Sequence, residues 1–287
     1  MPPAGRVVLV TGASSGIGAA LTLELARRGF RLALTARRGD RLESIAAEAR
    51  SLGSPEVATI VADLADGAAP ELILGETLGR FGGLDVLVNN AGLGLPEPFA
   101  LADRGMLRRQ VEVNLLAPMM LAHWAIPALA ERRGTIINVG SAISTIAIPM
   151  FGAYGMTKAG LAYWNDALRR ELRPQRIKVC LVEPGPIGTE FFRAISSLYP
   201  EGSSELSEPR APAIPPPSFA TAKVDDVARR IANLIDRPKR RLSVLRRLVW
   251  PLRALGAFFR AAPVVADLAL VDAIRRLQRE WKDRPPG

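Results

Sequence analysis

The sequence predicts an α/β fold: a doubly wound parallel sheet with helices on both faces and a helical extension at its C-terminal end. Three observations carry this expectation. Short apolar runs rich in Val, Ile and Leu alternate with longer helical patterns as far as about residue 245. A glycine-rich turn joins the first apolar run to the first helical pattern. With 287 residues, 48% of them hydrophobic, the chain can bury one large core. Alternating units of this kind make parallel sheets, because each crossover helix buries its apolar face against the strands it connects.

The first strand spans residues 7–10 and feeds Thr11-Gly-Ala-Ser-Ser-Gly-Ile-Gly18, after which an amphipathic pattern runs to about Arg28. Gly12, Gly16 and Gly18 let the backbone turn tightly, approach a pyrophosphate and seat the helix on the strand. Phosphates would meet unpaired N–H groups at the positive end of that helix. The spacing Gly-x-x-x-Gly-x-Gly differs from the more general Gly-x-Gly-x-x-Gly, and taken alone an ordinary glycine turn reads the same way. A second strand covers 31–36 and a helix 39–52. Strands follow at 57–61, 84–89, 135–140 and 178–183, with helices over 106–132 and 152–172. A helix at about 224–235 leads to a last strand at about 240–245.

Tyr154 and Lys158 lie four residues apart within a helical pattern, with Ser141 thirteen positions upstream. Residues at that spacing share a helix face, so the ammonium can lie close to the phenol. A nearby fixed positive charge favours phenolate and is expected to pull a pKa of ~10 towards neutrality, giving an acid/base for a carbonyl/alcohol pair.

The first 190 positions contain Thr11-Gly-Ala-Ser-Ser-Gly-Ile-Gly18, Asp63-Leu64, Asn89-Asn-Ala-Gly92, Asn114, Ser141, Tyr154-x-x-x-Lys158, and Pro184-Gly185 with Ile187 and Thr189. In this order and spacing they resemble the short-chain dehydrogenase/reductase family, in its single-domain branch with a Rossmann-type sheet. The resemblance implies that Tyr154 exchanges a proton with the substrate oxygen and that Ser141 polarises the carbonyl. Lys158 would lower the phenol pKa and bind the nicotinamide ribose. Asn114 would fix a helix distortion and a water joining Lys158 to solvent. It further implies cofactor contacts at Gly12, Ser14, Ser15, Gly16, Ile17 and Gly18. Asp63 would contact the adenine beside Leu64, and Asn90, Ala91 and Gly92 would shape the adenosine side. Pro184, Gly185, Ile187 and Thr189 would lie near the carboxamide. With no expected catalytic position missing, a non-catalytic dinucleotide-binding scaffold is the weaker alternative.

The nicotinamide cofactor follows from charge. At the end of the second strand, where a carboxylate would bind a ribose 2′-hydroxyl, the chain has Ala36 and then Arg37 and Arg38. A carboxylate repels a 2′-phosphate, whereas a guanidinium binds it through paired charge-assisted hydrogen bonds. NADP(H) is therefore favoured, although arginines at a strand end are also common as solvated loop charges. An NAD-dependent alcohol dehydrogenase is the runner-up.

Other classes lose ground on composition. The one cysteine, Cys180, falls in a strand and forms no intrachain disulfide; the one histidine, His123, has no partner cluster, so no metal site is expected. The N-terminal apolar run is too short for a signal peptide, and no uninterrupted apolar run reaches the roughly 18 residues of a bilayer span. A cytoplasmic protein is expected, peripheral on a membrane if the C-terminal extension binds one.

The catalytic domain is expected over 1–246, with a substrate-covering loop at about 186–222. That loop carries Phe191, Phe192, Leu198 and Tyr199 and then Pro209, Pro212, Pro215, Pro216 and Pro217, which preclude a continuous helix. With Leu93, Leu95, Ile143, Ile148 and Phe151 these residues suggest an apolar pocket for a small lipophilic carbonyl or alcohol. From Arg237 onward there are 13 Lys+Arg and 4 Asp+Glu, a net of +9 out of +10 for the chain. The extension over 247–287 reads as basic and amphipathic, with Arg253 and Arg260 opposite Leu252, Leu255 and Phe259. It is suited either to packing on its own domain or a dimer partner, or to an anionic membrane surface. Nucleic acid is the weakest reading of that charge, since apolar residues exceed what phosphate contact needs. The resemblance also implies a homodimer through the helices around Asn114 and Tyr154.

Overall fold

The structure is a computed structural model that describes residues 5–94, 99–185, 222–244, 254–258 and 261. Seven parallel strands form one sheet in the order β3-β2-β1-β4-β5-β6-β7. They are β1 (Val7–Thr11), β2 (Arg31–Ala36), β3 (Val57–Val61), β4 (Val86–Asn89), β5 (Thr135–Val139), β6 (Lys178–Glu183) and β7 (Arg241–Ser243). The order reverses between β1 and β4, so a crevice opens beyond the carboxyl ends of these two strands, the usual ligand position in such sheets.

Alternation along β1 builds both faces of the core. Val8 and Val10 pack to one side and Val7 and Leu9 to the other, all fully buried. The first side is covered by α1 (Gly16–Arg27), α2 (Gly39–Ser51) and α7 (Val224–Asp236), through residues such as Leu21, Leu42 and Ile231. The second is covered by α3 (Ala69–Phe81), α5 (Ala117–Arg132) and α6 (Gly152–Glu171), through Ile73, Leu121 and Leu168. Being buried on both faces, the central strands read as continuous apolar runs.

Three differences from the sequence expectations are informative. The single helix expected over 106–132 is α4 (Arg104–Val111), a π-turn at Glu112–Leu116, and α5. The turn centres on Asn114, whose side chain bonds outside the helix. α3 escapes the periodic reading because Gly75 and Gly79 interrupt its pattern; tertiary packing of Ile73, Leu74 and Thr77 supplies what propensity does not. The last strand is shorter than expected, Arg241–Ser243, pairing only with β6. Arg241 donates to the buried Glu183 carboxylate at 2.9 Å and Ser243 Oγ to the same group at 3.0 Å, which ties this edge to the end of β6.

One helical stretch, Arg104–Arg132, is long and apolar enough to cross a membrane. In the fold it is a core element: Val113, Leu121, Ala125 and Leu129 are buried against the sheet. The substrate loop at 186–222, except Ala222, and the extension at 247–287, except 254–258 and 261, lie outside the described residues. So do Leu95, Ile187, Thr189, Phe191, Phe192, Leu198 and Tyr199.

Candidate active site

The glycine turn forms the floor of the crevice. Gly12 has φ +65, and a β-carbon there would lie 2.9 Å from Ala91 Cα. At Gly18 a β-carbon would stand 2.2 Å from the Gly12 carbonyl oxygen and 2.6 Å from Asn90 Nδ2. Both glycines are required by space, which is the physical content of the motif. Gly16 adopts φ 55 at the start of α1, and Ser15, at the N-cap, makes no side-chain cap. The first N–H groups of α1 are therefore not covered by the capping residue, the arrangement that suits a phosphate.

Long-range hydrogen bonds lock the turn to β4. Thr11 Oγ1 accepts from Asn90 N and Ala91 N, each at 3.0 Å, and Asn90 Nδ2 donates to Thr11 O at 2.9 Å. Ser14 and Ile17 flank the same turn, partly buried. Arg37 and Arg38 leave the end of β2 exposed, and Arg38 Nη2 reaches Ser14 Oγ at 3.5 Å, bringing a guanidinium against the turn. These residues fit a dinucleotide carrying an extra phosphate: a glycine cradle, a helix terminus and two cations on one rim.

Asp63 follows β3 beside the buried Leu64, and its partner could not be foreseen from local sequence. Arg109 of α4 forms an ion pair with its carboxylate, and Ala65 N donates to Oδ1 at 3.0 Å. Burial opposes ionisation of Asp63, but the Ala65 N–H, Arg109 and Arg37 outweigh it and hold the carboxyl below its ordinary pKa.

Asn114, fully buried in the π-turn, organises the other end of the crevice. Its Oδ1 accepts from Leu93 N at 2.8 Å, and Nδ2 donates to Leu93 O at 2.7 Å and Thr157 Oγ1 at 3.0 Å. Thr157 Oγ1 in turn donates to Tyr154 O at 2.8 Å. Asn114 thus clamps the segment after β4 to the helix that carries Tyr154 and Lys158. Gly92 sits inside this clamp: a β-carbon there would be 3.3 Å from both Asn114 Oδ1 and Lys158 Nζ. Thr157 and Thr11 were not singled out as site residues in the sequence; each is a buried hydroxyl beside a motif residue, which is the one local signal they carry.

Ser141, Tyr154 and Lys158 come together as their spacing predicts. The Ser141 and Tyr154 side chains are hydrogen-bonded, and Lys158 Nζ lies 6.0 Å from the Tyr154 ring centroid. The expected lowering of the phenol pKa is overturned. Desolvation pushes the Tyr154 phenol up to about 12 against the opposing pull of Ser141. Burial likewise pushes Lys158 down to about 8, and its Nζ donates to Val139 O at 3.0 Å. Removing either group from water disfavours its charged form. Pro184 and Gly185 close the site: Pro184 O accepts from Ala142 N at 3.0 Å, holding the turn that follows Ser141.

An apolar cavity of about 120 Å³ is lined by Phe99, Leu107, Ile148, Met150 and Ala153 among others, the last of these preceding Tyr154 in α6. Of the expected pocket residues, Ile148 lines it, whereas Leu93 packs into the core beneath the sheet. Cys180 is buried in β6, and burial pushes its thiol up to about 11, which fits a packing role. Among the described residues no group of three metal-binding side chains occurs.

A doubly wound sheet with a glycine cradle at its switch point and a Ser–Tyr–Lys cluster opposite defines a dinucleotide-binding α/β protein. The chain belongs to the short chain dehydrogenase family, whose model matches residues 6–199. It is 40% identical over 184 residues to an 11-beta-hydroxysteroid dehydrogenase-like protein (4A) of Arabidopsis thaliana, covering 64% of this chain and 61% of that one. An 11-beta-hydroxysteroid dehydrogenase (1A) of the same plant is 35% identical over 240 residues, 82% of this chain and 67% of its relative. The chain therefore spans about 61% of the length of the first of these relatives. Among solved structures, a short-chain dehydrogenase from Sphingobium yanoikuyae in complex with NADPH superposes with TM-score 0.73 at 27% identity, covering 91% of this chain and 96% of that one. An alcohol dehydrogenase from Thermococcus sibiricus complexed with 5-hydroxy-NADP gives TM-score 0.70 at 29% identity, covering 84% and 95%.

Proposed function

We propose that the protein is an NADP(H)-dependent oxidoreductase acting on the carbonyl or alcohol of a small lipophilic substrate. The observation that carries this reading is the convergence of Ser141, Tyr154 and Lys158 in a chain that also carries the glycine cradle. The cofactor, when bound, supplies or accepts the hydride. Tyr154 Oη donates the proton that the substrate oxygen takes up, and Ser141 Oγ hydrogen-bonds the same oxygen where negative charge develops. Lys158, held by Val139 O, supplies positive charge beneath the phenol, and Asn114 keeps its helix in place.

Gly12, Ser14, Ser15, Gly16, Ile17 and Gly18 hold the pyrophosphate in this reading, and Arg37 and Arg38 the 2′-phosphate. Asp63 and Leu64 face the adenine side, with Asn90, Ala91 and Gly92 along the middle of the crevice. Pro184 and Gly185 approach the nicotinamide, and Ile187 and Thr189 are assigned there by family likeness. NADP(H) is supported by the two arginines and by the NADP-type ligands of the solved relatives. A steroid-like ketone is suggested by the names of the plant relatives. A homodimer is supported by Leu116 at the end of the π-turn and Met120 and Trp124 on α5, exposed at four-residue intervals. A cytoplasmic location, with the 247–287 extension on a membrane surface, rests on composition alone.

The test is cofactor consumption by the full-length protein against a panel of lipophilic ketones and aldehydes, with NADPH, NADH and Y154F in parallel. Turnover with NADPH, weak with NADH and lost in the variant, is the expected result. Dinucleotide binding without turnover of any compound would favour the scaffold reading.

A further inference from the structure

Residues 254–258 form one helical turn of the C-terminal extension. Ala254, Leu255, Ala257 and Phe258 are exposed, and Gly256 alone is buried. What buries it is the backbone just beyond the catalytic serine. A β-carbon at position 256 would stand 1.9 Å from the Thr145 carbonyl oxygen and 3.5 Å from Ile146 Cα. Gly256 has an ordinary helical backbone, without positive φ, so glycine is required here for space and not for conformation. The oxygen occupies the place a side chain would take.

Thr145 closes the 3₁₀ turn Ala142–Thr145, and Ser141 is the N-cap of that turn. Ser141 Oγ accepts from Ile143 N at 3.3 Å, Ser144 N donates to Ser141 O at 3.2 Å, and Thr145 Oγ1 donates to Ala142 O at 2.8 Å. At its start the turn is pinned by Pro184 O through Ala142 N. At its end it meets Gly256. A displacement at Thr145 is carried through a turn of four residues to the serine hydroxyl, and that hydroxyl is hydrogen-bonded to Tyr154.

We infer that Gly256 is a positioning residue for Ser141: the extension seats its glycine on the Thr145 carbonyl and holds the serine turn against the phenol. The inference rests on the proposed catalytic roles of Ser141 and Tyr154. Any side chain at 256 must lift the extension off the turn or drive the turn towards the cavity. Reacting groups tolerate little of this, since a 1 Å misplacement can cost roughly 100-fold in rate. The helical turn at 254–258 then completes the site.

The experiment uses full-length G256A, with A257V as a control that adds bulk on the exposed side of the same turn. Hydrogen exchange of the peptide covering 141–148 is read first and requires no substrate. Faster exchange in G256A, with A257V like the unmodified protein, is expected; unchanged exchange in G256A overturns the inference. On an active carbonyl, kcat in G256A should fall roughly 10-fold or more with cofactor Kd within about twofold. In an S141A background the same substitution should add no further loss; an equal loss there would mean general damage and would also overturn it. If G256A does not fold, A254G/A257G loosens the helical turn without a clash and should speed exchange at 141–148 in the same direction. Absence of turnover in the unmodified protein would sink the catalytic reading, whereas the exchange result judges the seat by itself.

Discussion

The two ends of the crevice are built from opposite materials. At the cradle end the site consists of backbone and of side chains that are missing: Gly12 and Gly18 leave space, and Arg37 and Arg38 stand in solvent. At the catalytic end it consists of buried polar side chains that satisfy one another, among them Asn114, Thr157 and Lys158. A buried chain of asparagines lies close by, with Asn89 Nδ2 donating to Asn138 Oδ1 at 2.8 Å and Asn138 Nδ2 to Asn165 Oδ1 at 2.9 Å, although Asn89 Oδ1 and Asn165 Nδ2 have no partner. The cradle end can therefore be altered at its rim without touching the core. The catalytic end cannot, because each of its polar groups would leave a buried partner unpaired.

The largest effect should come from N114A. It removes the partners of the partly buried Leu93 N–H and C=O, while Thr157 keeps its bond to Tyr154 O, at a cost of roughly 2 kcal/mol or more when each unpaired group costs about 1–3. Urea unfolding measures it; a loss below about 1 kcal/mol would mean that water enters and the contrast between the two ends is overstated. G18A should follow, with overpacking of roughly 1–3 kcal/mol against Gly12 O and Asn90 Nδ2. Its signature is a loss of dinucleotide affinity in a fluorescence titration that exceeds the loss of stability.

R37A/R38A should leave the unfolding midpoint where it is and lower the preference for NADPH over NADH by roughly 10- to 100-fold, the worth of hydrogen bonds to a charged group. An unchanged preference would remove these arginines from the site. Lys158 should show itself in the pH dependence of stability. In the folded protein burial pushes it down to about 8, while an unfolded lysine keeps its proton to about 10.5. Between those values the unfolded chain binds the extra proton, so stability should rise with pH. The Tyr154 phenol, pushed up to about 12 from 10, contributes the opposite slope only above pH 10. Unfolding free energy of the unmodified protein should therefore gain on that of K158M between pH 8 and 10. A parallel course of the two would place Lys158 in contact with water.

Much of the fold was legible. The strands at 31–36, 57–61 and 178–183 have the bounds that the apolar runs predict, because a strand buried on both faces leaves a continuous signal. α3 was not legible, since its two glycines dilute the period while its packing restores the helix. In the site, spacing placed Tyr154 and Lys158 on one helix face, while Ser141 was joined to them by the family resemblance. The sign of the phenol shift could not: spacing places a cation near the ring but says nothing of how much water is excluded around both. The partner of Asp63 was equally hidden, since Arg109 lies 46 positions away on a helix whose docking only the sheet defines.

What the sequence by itself determined is everything written in a single element. That includes the glycine turn after β1, the helical spacing of Tyr154 and Lys158, the absence of a carboxylate after Ala36, and the concentration of charge beyond Arg237. Tertiary structure alone decided which of those residues meet a partner and which lose their water. Asn114 clamps Leu93 to α6, Arg109 claims Asp63, and Gly256 comes to rest on Thr145. Local patterns record the geometry of one helix or strand, whereas desolvation and close approach depend on the packing of elements far apart in the chain.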